Sequence, residues 1–571
     1  MTAVPQDLVA VFHASFHPTQ GNLIDWSLKA NDDLSLDNIE FSVLPSGLHL
    51  IDRDVVYFTK DGQHGVCIFS RRKTEEQGQR GFRLSSLGVL LARSRRPRPW
   101  RHTAALKELV TTIYNQCEEA GISQPTESQW EPARAFFEER KIRRVDLSEW
   151  NSWNQDFSDP SEFDSHPTLH LSHLLRILGP SSLTIYRHIL GRRRILIYTQ
   201  PPVEAACILC YAAADMCYEA QSSTTGREPL RVFGMVTLSD MHRLGTESGW
   251  IACTTDAIFL EKPSCYDLLV DLTYSGPRPA FYVSKPIIPP PPRGQTHRLS
   301  TTRFAWSDVK LWNDLDRILQ LGHDRCCSEN DNEIRGPTTI SRLGAAWTDV
   351  WRAYEDVCVV CAGFWMGLGW RTGANASGRG PISLSGDDDI DLNVSGNITI
   401  QEGSYVRNLG MGIEGRPSGT TSTRAMRRSS AMSWSSGRAT VVGGQSVDEI
   451  GGPKAQQDSS SSRGEDSGDA DREERADRQL RTTLALLQTL HAHAAFQLAV
   501  LASFLPSPSS GSPSPGTVSL YPKDMVQFEL APLSSSDAKY LEWLFQEYAG
   551  DTQVLIKRGW RDLVGALLGY T

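Results

Sequence analysis

The stretch that most constrains the fold spans residues 249–271 and reads GWIACTTDAIFLEKPSCYDLLVD. It begins with a short apolar run, from Trp250 to Thr254, that has the length and composition of a buried β-strand. Thr254, Thr255 and Asp256 then place two hydroxyls and an acid where a strand ends or a helix is capped. Apolar residues that can pack this unit follow: Ile258, Phe259, Tyr266, Leu268, Leu269 and Val270. The stretch predicts a buried strand with a polar end, and it holds no nucleophile beside a base.

The residues before this stretch alternate between helical and strand patterns. Leucines at helical spacing predict a helix over 171–178, which Gly179 and Pro180 end, and a second helix covers 182–190. A strand over 195–198, a helix over 203–216 and a strand over 232–236 follow. This alternation is typical of a sheet covered by helices.

The first part of the chain is rich in strands. Apolar runs at 8–12, 23–26, 54–58, 65–69 and 87–91 predict five of them, and Asp61-Gly62 predicts a hairpin between the third and fourth. A helix follows over 104–118. Its apolar residues recur at helical spacing and are expected in the core: Leu106, Leu109, Val110, Ile113 and Tyr114.

The rest of the chain divides by composition. Residues 119–166 are polar and broken by prolines, and predict a linker with one charged helix at 133–140. The run KPIIPPPP at 285–292 favours a stiff spacer over a ligand of SH3-type domains. Amphipathic helices are expected at 309–319 and 345–362, and again at 478–505 and 534–548. Between them, residues 369–477 are rich in Gly, Ser, Asp and Arg and predict disorder.

Composition excludes several classes of protein. A net charge of −9 and a pI near 5.9 argue against a general nucleic-acid binder. No basic leader precedes the first apolar run, and no run reaches the roughly 18 apolar residues of a membrane span, so neither a signal peptide nor a transmembrane segment is expected. The 11 cysteines fit reduced thiols of the cytosol. The pairs Cys207/Cys210 and Cys358/Cys361 lie in apolar runs without a nearby His, which favours buried structural cysteines over a metal site.

Three basic clusters stand out. Two are short, at 71–73 and 192–194. The third and densest contains five arginines: Arg93, Arg95, Arg96, Arg98 and Arg101. Such clusters can contact an acidic lipid or an acidic partner, but a solvated surface is the more common explanation.

Several phrases of this sequence resemble the LCHN-like DENN-domain family and its fungal members. They are VFHASFHPTQGNLIDW, LPSGLHLIDRDVVYF, the helix before RRRILIY, ACTTDAIFLEKPSCYDLLVD and the closing KRGWRDL. The resemblance implies a tripartite α/β and α architecture. Its parts are a longin-like upstream module at 5–120, a linker at 121–166, an α/β central module at 167–285, an all-helical downstream module at 300–368 and 478–571, and a disordered insert at 369–477.

The same resemblance implies a function. DENN proteins typically act as guanine-nucleotide exchange factors for Rab GTPases in membrane traffic, and the upstream and central modules jointly cradle the GTPase. The hypothetical contact residues are Asp240, Trp250, Thr254, Thr255 and Asp256, although caps and core of the central sheet explain the same residues. The alternative is a non-catalytic DENN scaffold or adaptor that binds a GTPase or a trafficking complex.

No cofactor or metal and no catalytic side-chain chemistry are expected. The sequence has no P-loop, no G-x-S-x-G, no H-E-x-x-H and no kinase motif set, and the G-x-G-x-x-G at 410–415 lacks a βαβ context. The expected location is the cytoplasm, with recruitment to endomembranes and a peripheral membrane contact left open.

Overall fold

The computed structural model describes residues 4–75, 81–143, 166–225, 229–276, 278–291, 294–302, 304–324, 466–505, 517–532, 534–550 and 552–557. They form a mixed α/β structure of sheets and helices, as predicted. Several predictions lie outside the described residues: the helix at 345–362, the Cys358/Cys361 pair, the 410–415 motif, the disordered insert over 369–465 and most of the 557–563 motif.

The first sheet is antiparallel and has five strands in the order β2-β1-β5-β4-β3. The strands are β1 (Leu8–His17), β2 (Gly21–Lys29), β3 (Arg53–Lys60), β4 (Gln63–Lys73) and β5 (Phe82–Leu91). β3 and β4 are joined at Asp61 and Gly62, which have φ of 49° and 79°. Two positive φ angles match the twist of a two-residue hairpin, so the predicted hairpin is confirmed.

Helices cover both faces of this first sheet. They are α1 (Ile39–Val43), α2 (Thr103–Glu119) and α3 (Glu131–Arg140). Neighbouring residues of a strand point to opposite faces. Ser85 hydrogen-bonds the Tyr114 hydroxyl of α2 at 2.7 Å, whereas Ser86 donates to the Val43 carbonyl of α1 at 2.8 Å. α3 packs on β1, so part of the interval predicted as a linker extends the first sheet's helical layer.

The second sheet has six strands in the order β11-β10-β9-β6-β8-β7. They are β6 (Ile195–Tyr198), β7 (Arg231–Met235), β8 (Trp250–Thr254), β9 (Leu268–Asp271), β10 (Ala280–Pro286) and β11 (His297–Thr301). The first four are parallel to one another, and β10 and β11 are antiparallel. β11 extends the sheet past residue 285, where the central module was expected to end.

The four parallel strands of the second sheet are buried on both faces, which explains their continuous apolar runs. The helices around it are α4 (Leu171–Leu178), α5 (Ser182–Leu190), α6 (Glu204–Asp215), α7 (Tyr218–Thr225) and α8 (Met241–Thr246). Ile251 and Cys253 of β8 face the large core that includes α5 and α6. Trp250 and Ala252 face a smaller core that includes Leu244 of α8.

The remaining described elements are mostly helical. They are α9 (Val309–Asp324), α10 (Asp466–Phe504), α11 (Pro522–Gln527) and α12 (Ser535–Tyr548), with a two-stranded parallel sheet of β12 (Thr517–Leu520) and β13 (Gln553–Ile556). This small sheet was not expected in an all-helical part. α10 begins at Asp466, 12 residues earlier than residue 478. Acidic residues and good helix formers at 466–477 suit a helix N-terminus, a signal that the polar composition obscured.

One described helix segment, Glu474–Phe504 in α10, is long and apolar enough to cross a membrane by length and composition, with 44% of its window buried. A core helix of a soluble protein has the same signature. This helix packs on α4, α7 and α12. Its buried apolar residues include Leu486, Leu487, Leu490, Ala494, Leu498 and Leu501. The absence of a membrane span stays a prediction.

The helices after the second sheet are tied to it through Arg187 of α5. The Arg187 Nε donates to Asp308 at 2.7 Å, Nη2 donates to Ser307 at 2.8 Å, and Nη1 donates to Asp537 of α12. The side chains of Arg187, Asp308 and Asp537 are 9%, 5% and 0% exposed. Charges so buried are tolerated only with well-placed partners, so this network fixes where α9 and α12 pack.

The two sheets meet through their end strands, β3 and β7. The Thr59 hydroxyl of β3 donates to the carbonyl oxygens of Val232 and Phe233, at 3.3 and 3.1 Å. Gly234 has a φ of 67° at a register irregularity of β7, and a Cβ there would lie 2.3 Å from the Tyr57 carbonyl oxygen. Only glycine fits this close approach.

We predict that Arg187→Met destabilises the protein by about 3–5 kcal/mol, because it leaves two buried carboxylates without their cation. Chemical unfolding of the full chain measures this free energy. The exposed Arg93→Met is the control and should change stability by less than about 0.5 kcal/mol. Adding Asp308→Asn and Asp537→Asn to Arg187→Met should restore part of the loss; no restoration would contradict the electrostatic explanation.

We predict that Gly234→Ala destabilises the protein by about 3 kcal/mol, from strain at positive φ and from overpacking against β3. Gly121→Ala is the matched control: its φ is 66°, and a Cβ there meets nothing within 4 Å. This control should cost only about 1 kcal/mol, the strain of the left-handed backbone alone. If thermal unfolding shows equal losses of stability in the two variants, the close approach of β3 to β7 contributes nothing to the cost of Gly234→Ala.

Candidate functional site at the junction of the two sheets

Asp54, near the start of β3, connects the first sheet to α6. Its carboxylate accepts from the backbone N–H groups of Val203 at 2.6 Å and Glu204 at 3.2 Å, where α6 begins. A third bond comes from the N–H of Val55 at 2.9 Å. Burial raises the pKa of Asp54 to about 7, although the three N–H groups favour the carboxylate. The bonds satisfy donors that the helix itself leaves open, so β3 and α6 are positioned together.

A second set of contacts lies where β8 ends. The Thr255 hydroxyl donates to the Ser46 carbonyl at 2.9 Å, and Ser46 lies in the loop after α1. Burial raises the pKa of the Asp256 carboxyl, and the nearby Ser46 side chain and Leu238 backbone N–H oppose this shift. Ser46 of the first sheet's layer and three residues of the second sheet's loops therefore form one continuous surface.

We call Ser46, Leu238, Thr255 and Asp256 the junction surface. Leu238 is 42% exposed although it is apolar, and Ser46 is exposed beside it. Thr255 and Asp256 are partly exposed. An exposed apolar side chain surrounded by polar groups with fixed positions is the composition expected of a protein-binding surface.

Two of the five predicted contact residues are core residues. The Trp250 side chain is fully buried, and its Nε1 donates to the carbonyls of Leu244 and Glu247, at 3.2 Å each. Thr254 is also fully buried, and its hydroxyl accepts from the Asp256 N–H at 3.2 Å. Neither side chain can reach a partner while the sheet is intact, so both belong to the core of the second sheet.

The other three predicted residues are accessible. Thr255 and Asp256 belong to the junction surface, as described above. Asp240 is partly exposed, and its carboxylate accepts from the Thr237 N–H at 2.9 Å, which caps the turn before α8. Burial raises the pKa of Asp240, and Lys60 at the end of β3 is among the cations that oppose this shift. Asp240 therefore also lies close to the first sheet.

Sequence reasoning missed the residues that create the junction. Ser46, Leu238, Asp54 and Thr59 have no motif, and their partners lie far away along the chain. Gly234 carried a signal, because an isolated glycine inside an apolar strand indicates a bulge or a close approach of another backbone.

The described residues offer little to bind a metal. Within them, no group of three or more His, Cys, Asp or Glu side chains is placed to hold an ion. Cys207 and Cys210 are buried on α6, as predicted, and the Cys207 sulfur lies 3.5 Å from that of Cys253. Burial raises the pKa of Cys207 and Cys210, which keeps both as unreactive thiols.

Comparison with known proteins places the junction in a shared region. Residues 11–279 match the family model of DENN domain-containing protein 11. The chain is 29% identical to DENN domain-containing protein 11 of Danio rerio over 278 residues, which cover 46% of this chain and 53% of the relative. It is 27% identical to the Xenopus laevis protein of the same name over 276 residues, which cover 48% of this chain and 62% of the relative.

A yeast protein is similar over a comparable share of the chain. "Uncharacterized protein ANR2" of Saccharomyces cerevisiae is 25% identical over 312 residues, which cover 47% of this chain and 58% of the relative. The chain thus spans between about half and three fifths of the length of these relatives. The matched residues 11–279 contain β3, β7, β8 and the whole junction surface. Residues 11–279, which hold the first sheet's end strand β3 and the parallel strands of the second sheet, are therefore similar to DENN domain-containing protein 11, and a fungal protein shares similarity with this chain.

Proposed function

We propose that this protein is a guanine-nucleotide exchange factor for a Rab-type small GTPase, and a fungal member of the LCHN-like group of DENN proteins. The observation that carries the proposal is the DENN match over residues 11–279, which contain the meeting strands of both sheets. DENN proteins generally promote nucleotide exchange on Rab GTPases. In the DENN family, the upstream and central modules jointly cradle the GTPase, and the junction surface fits that arrangement.

Exchange requires no acid–base residue from this protein. A GTPase holds its nucleotide with P-loop amides, Mg²⁺ and switch loops that are ordered over the phosphates. A surface that binds the nucleotide-free form more tightly must weaken nucleotide binding by the same factor. The exchange factor therefore needs a rigid shaped surface, and the bonds of Asp54 and Thr59 across the two sheets supply that rigidity.

The residues proposed to contact the GTPase switch regions are Ser46, Leu238, Asp240, Thr255 and Asp256. Leu238 supplies an apolar anchor, and the polar groups around it fix the orientation of the partner. Trp250 and Thr254, which were also candidates, are buried in the core of the second sheet. We also propose that the protein acts in the cytoplasm and is recruited to the endomembranes where the GTPase resides.

The direct test is release of a fluorescent GDP analogue from a panel of Rab proteins, with the full chain in excess. Faster release from one or a few Rab proteins is expected and identifies the partner. If a folded sample accelerates release from none of them, the exchange proposal is wrong. Binding without acceleration would instead favour the scaffold or adaptor function.

We predict that Leu238→Asp lowers the catalytic efficiency of exchange at least about tenfold, since a buried charge replaces an apolar anchor in the complex. The variant should fold normally because Leu238 is exposed. Leu321→Asp is the matched control, because Leu321 on α9 is 64% exposed and lies outside the junction surface. Equal effects of the two substitutions, measured by GDP release, would rule out the junction surface as the contact site.

A further inference from the structure

Two of the three basic clusters are used within the fold. Arg192 pairs with Glu547 at 3.0 Å, and Arg194 pairs with Asp267 at 2.8 Å. In the cluster at 71–73, Arg71 pairs with Asp52 at 2.7 Å, and the guanidinium of Arg72 lies over the Tyr114 ring. These arginines hold neighbouring elements together. The cluster between Arg93 and Arg101 differs, because it surrounds a cavity.

The cavity lies beside the end of β5 and the entry to β1. Its volume is about 110 Å³, which is room for several water molecules at roughly 10–15 Å³ for each. The backbone at its base is fixed, because the Ala92 N–H donates to the Asp7 carbonyl at 2.8 Å. Three arginines and one aspartate are its charged lining residues: Arg96, Arg98, Arg101 and Asp7. Ser94 adds a hydroxyl to the lining.

The charges of the lining are positioned by other residues. Arg96 binds Asp215 of α6 through two parallel bonds, at 2.8 and 3.2 Å, and its guanidinium lies over the Tyr218 ring. Asp7, the acidic lining residue, is held by His102 at 2.7 Å. Arg98 is 8% exposed and Arg101 is half-buried. The cavity therefore carries an excess of positive charge in a partly desolvated place, where an anion is attracted more strongly than in water.

We propose that this cavity binds a phosphate group, with Arg98 and Arg101 as the principal ligands. Guanidinium groups present planar pairs of donors that match the oxygens of a phosphate. Two such groups beside a hydroxyl suit a doubly charged tetrahedral anion better than a single carboxylate. Arg96, Arg98 and Arg101 also take part in other interactions of the protein, with which the phosphate must compete. The site is separate from the junction surface and does not depend on the exchange proposal.

The phosphate can belong to a lipid headgroup or to a soluble molecule. Arg93 and Arg95, which flank the cavity in sequence, are exposed and would add attraction to an anionic membrane. The two sources share the same chemistry at the cavity. Separate arms of the experiment distinguish them.

Calorimetric titration of the full chain with inorganic phosphate and with inositol trisphosphate tests the cavity directly. Saturable binding to one site is expected for at least one of the two. Arg101→Gln should weaken it about tenfold, because a charged pair of hydrogen bonds is lost. Arg95→Gln is the matched control: it removes the same charge from the same basic cluster, and Arg95 does not line the cavity.

Co-sedimentation with vesicles identifies the source. Vesicles that contain a phosphatidylinositol monophosphate are compared with vesicles of the same net charge whose anionic lipid is phosphatidylserine. If the protein prefers the phosphatidylinositol monophosphate vesicles and Arg101→Gln abolishes this preference, the site binds a lipid headgroup. If the protein binds a soluble probe saturably but shows no such vesicle preference, the site binds a soluble phosphate.

Two results would overturn the proposal. One is no saturable binding of either soluble probe and no vesicle preference by the folded protein. The other is an equal loss in Arg95→Gln and Arg101→Gln, which indicates diffuse attraction. If Arg101→Gln does not fold, Ser94→Glu decides in its place, since Ser94 is exposed and a carboxylate there repels the anion from the cavity. Unchanged binding by Ser94→Glu would then also contradict the site.

Discussion

The end strands of two sheets meet at one place, and the arrangement of the region similar to DENN domain-containing protein 11 depends on this contact. An end strand presents unpaired backbone groups that attract other chains. Here the Thr59 hydroxyl satisfies carbonyl oxygens of β7, and Gly234 lets the Tyr57 backbone approach. Asp54 adds the start of α6 to the same contact. The two sheets thus cover each other's edges, and their loops come together in a single surface.

In the proposed function, this contact explains how a protein without a catalytic motif could promote nucleotide exchange. Nucleotide exchange depends on the preference of a surface for one conformation of the GTPase, and such a preference needs fixed geometry. Ser46 lies in a loop of the first sheet, whereas Thr255 and Asp256 follow a strand of the second. Because a hydrogen bond joins Thr255 to Ser46, the surface cannot form unless the sheets are docked. The buried network of Arg187 extends the same ordered unit to α9 and α12.

Local patterns in the sequence predicted the elements but not their assembly. The hairpin at Asp61-Gly62 and the strand from Trp250 to Thr254 follow from turn chemistry and apolar periodicity, which act between neighbours. By contrast, Thr59 and Val232 are 173 residues apart, and Arg187 and Asp537 are 350 apart. The periodicity of a sequence cannot predict contacts between residues so far apart. For the same reason, Thr255 and Asp256 could be proposed for the surface from the polar end of a strand, while Ser46 and Leu238 could not.

Hydrogen–deuterium exchange of the full chain, alone and with the nucleotide-free form of a Rab whose GDP release it accelerates, tests the proposed shared surface most directly. Our account predicts that the GTPase slows exchange on both sides of the junction at once, at residues 44–50 of the first sheet's loop and at 236–241 and 254–258 of the second. Protection confined to one sheet, or located only on other parts of the chain, would contradict a surface built jointly by both.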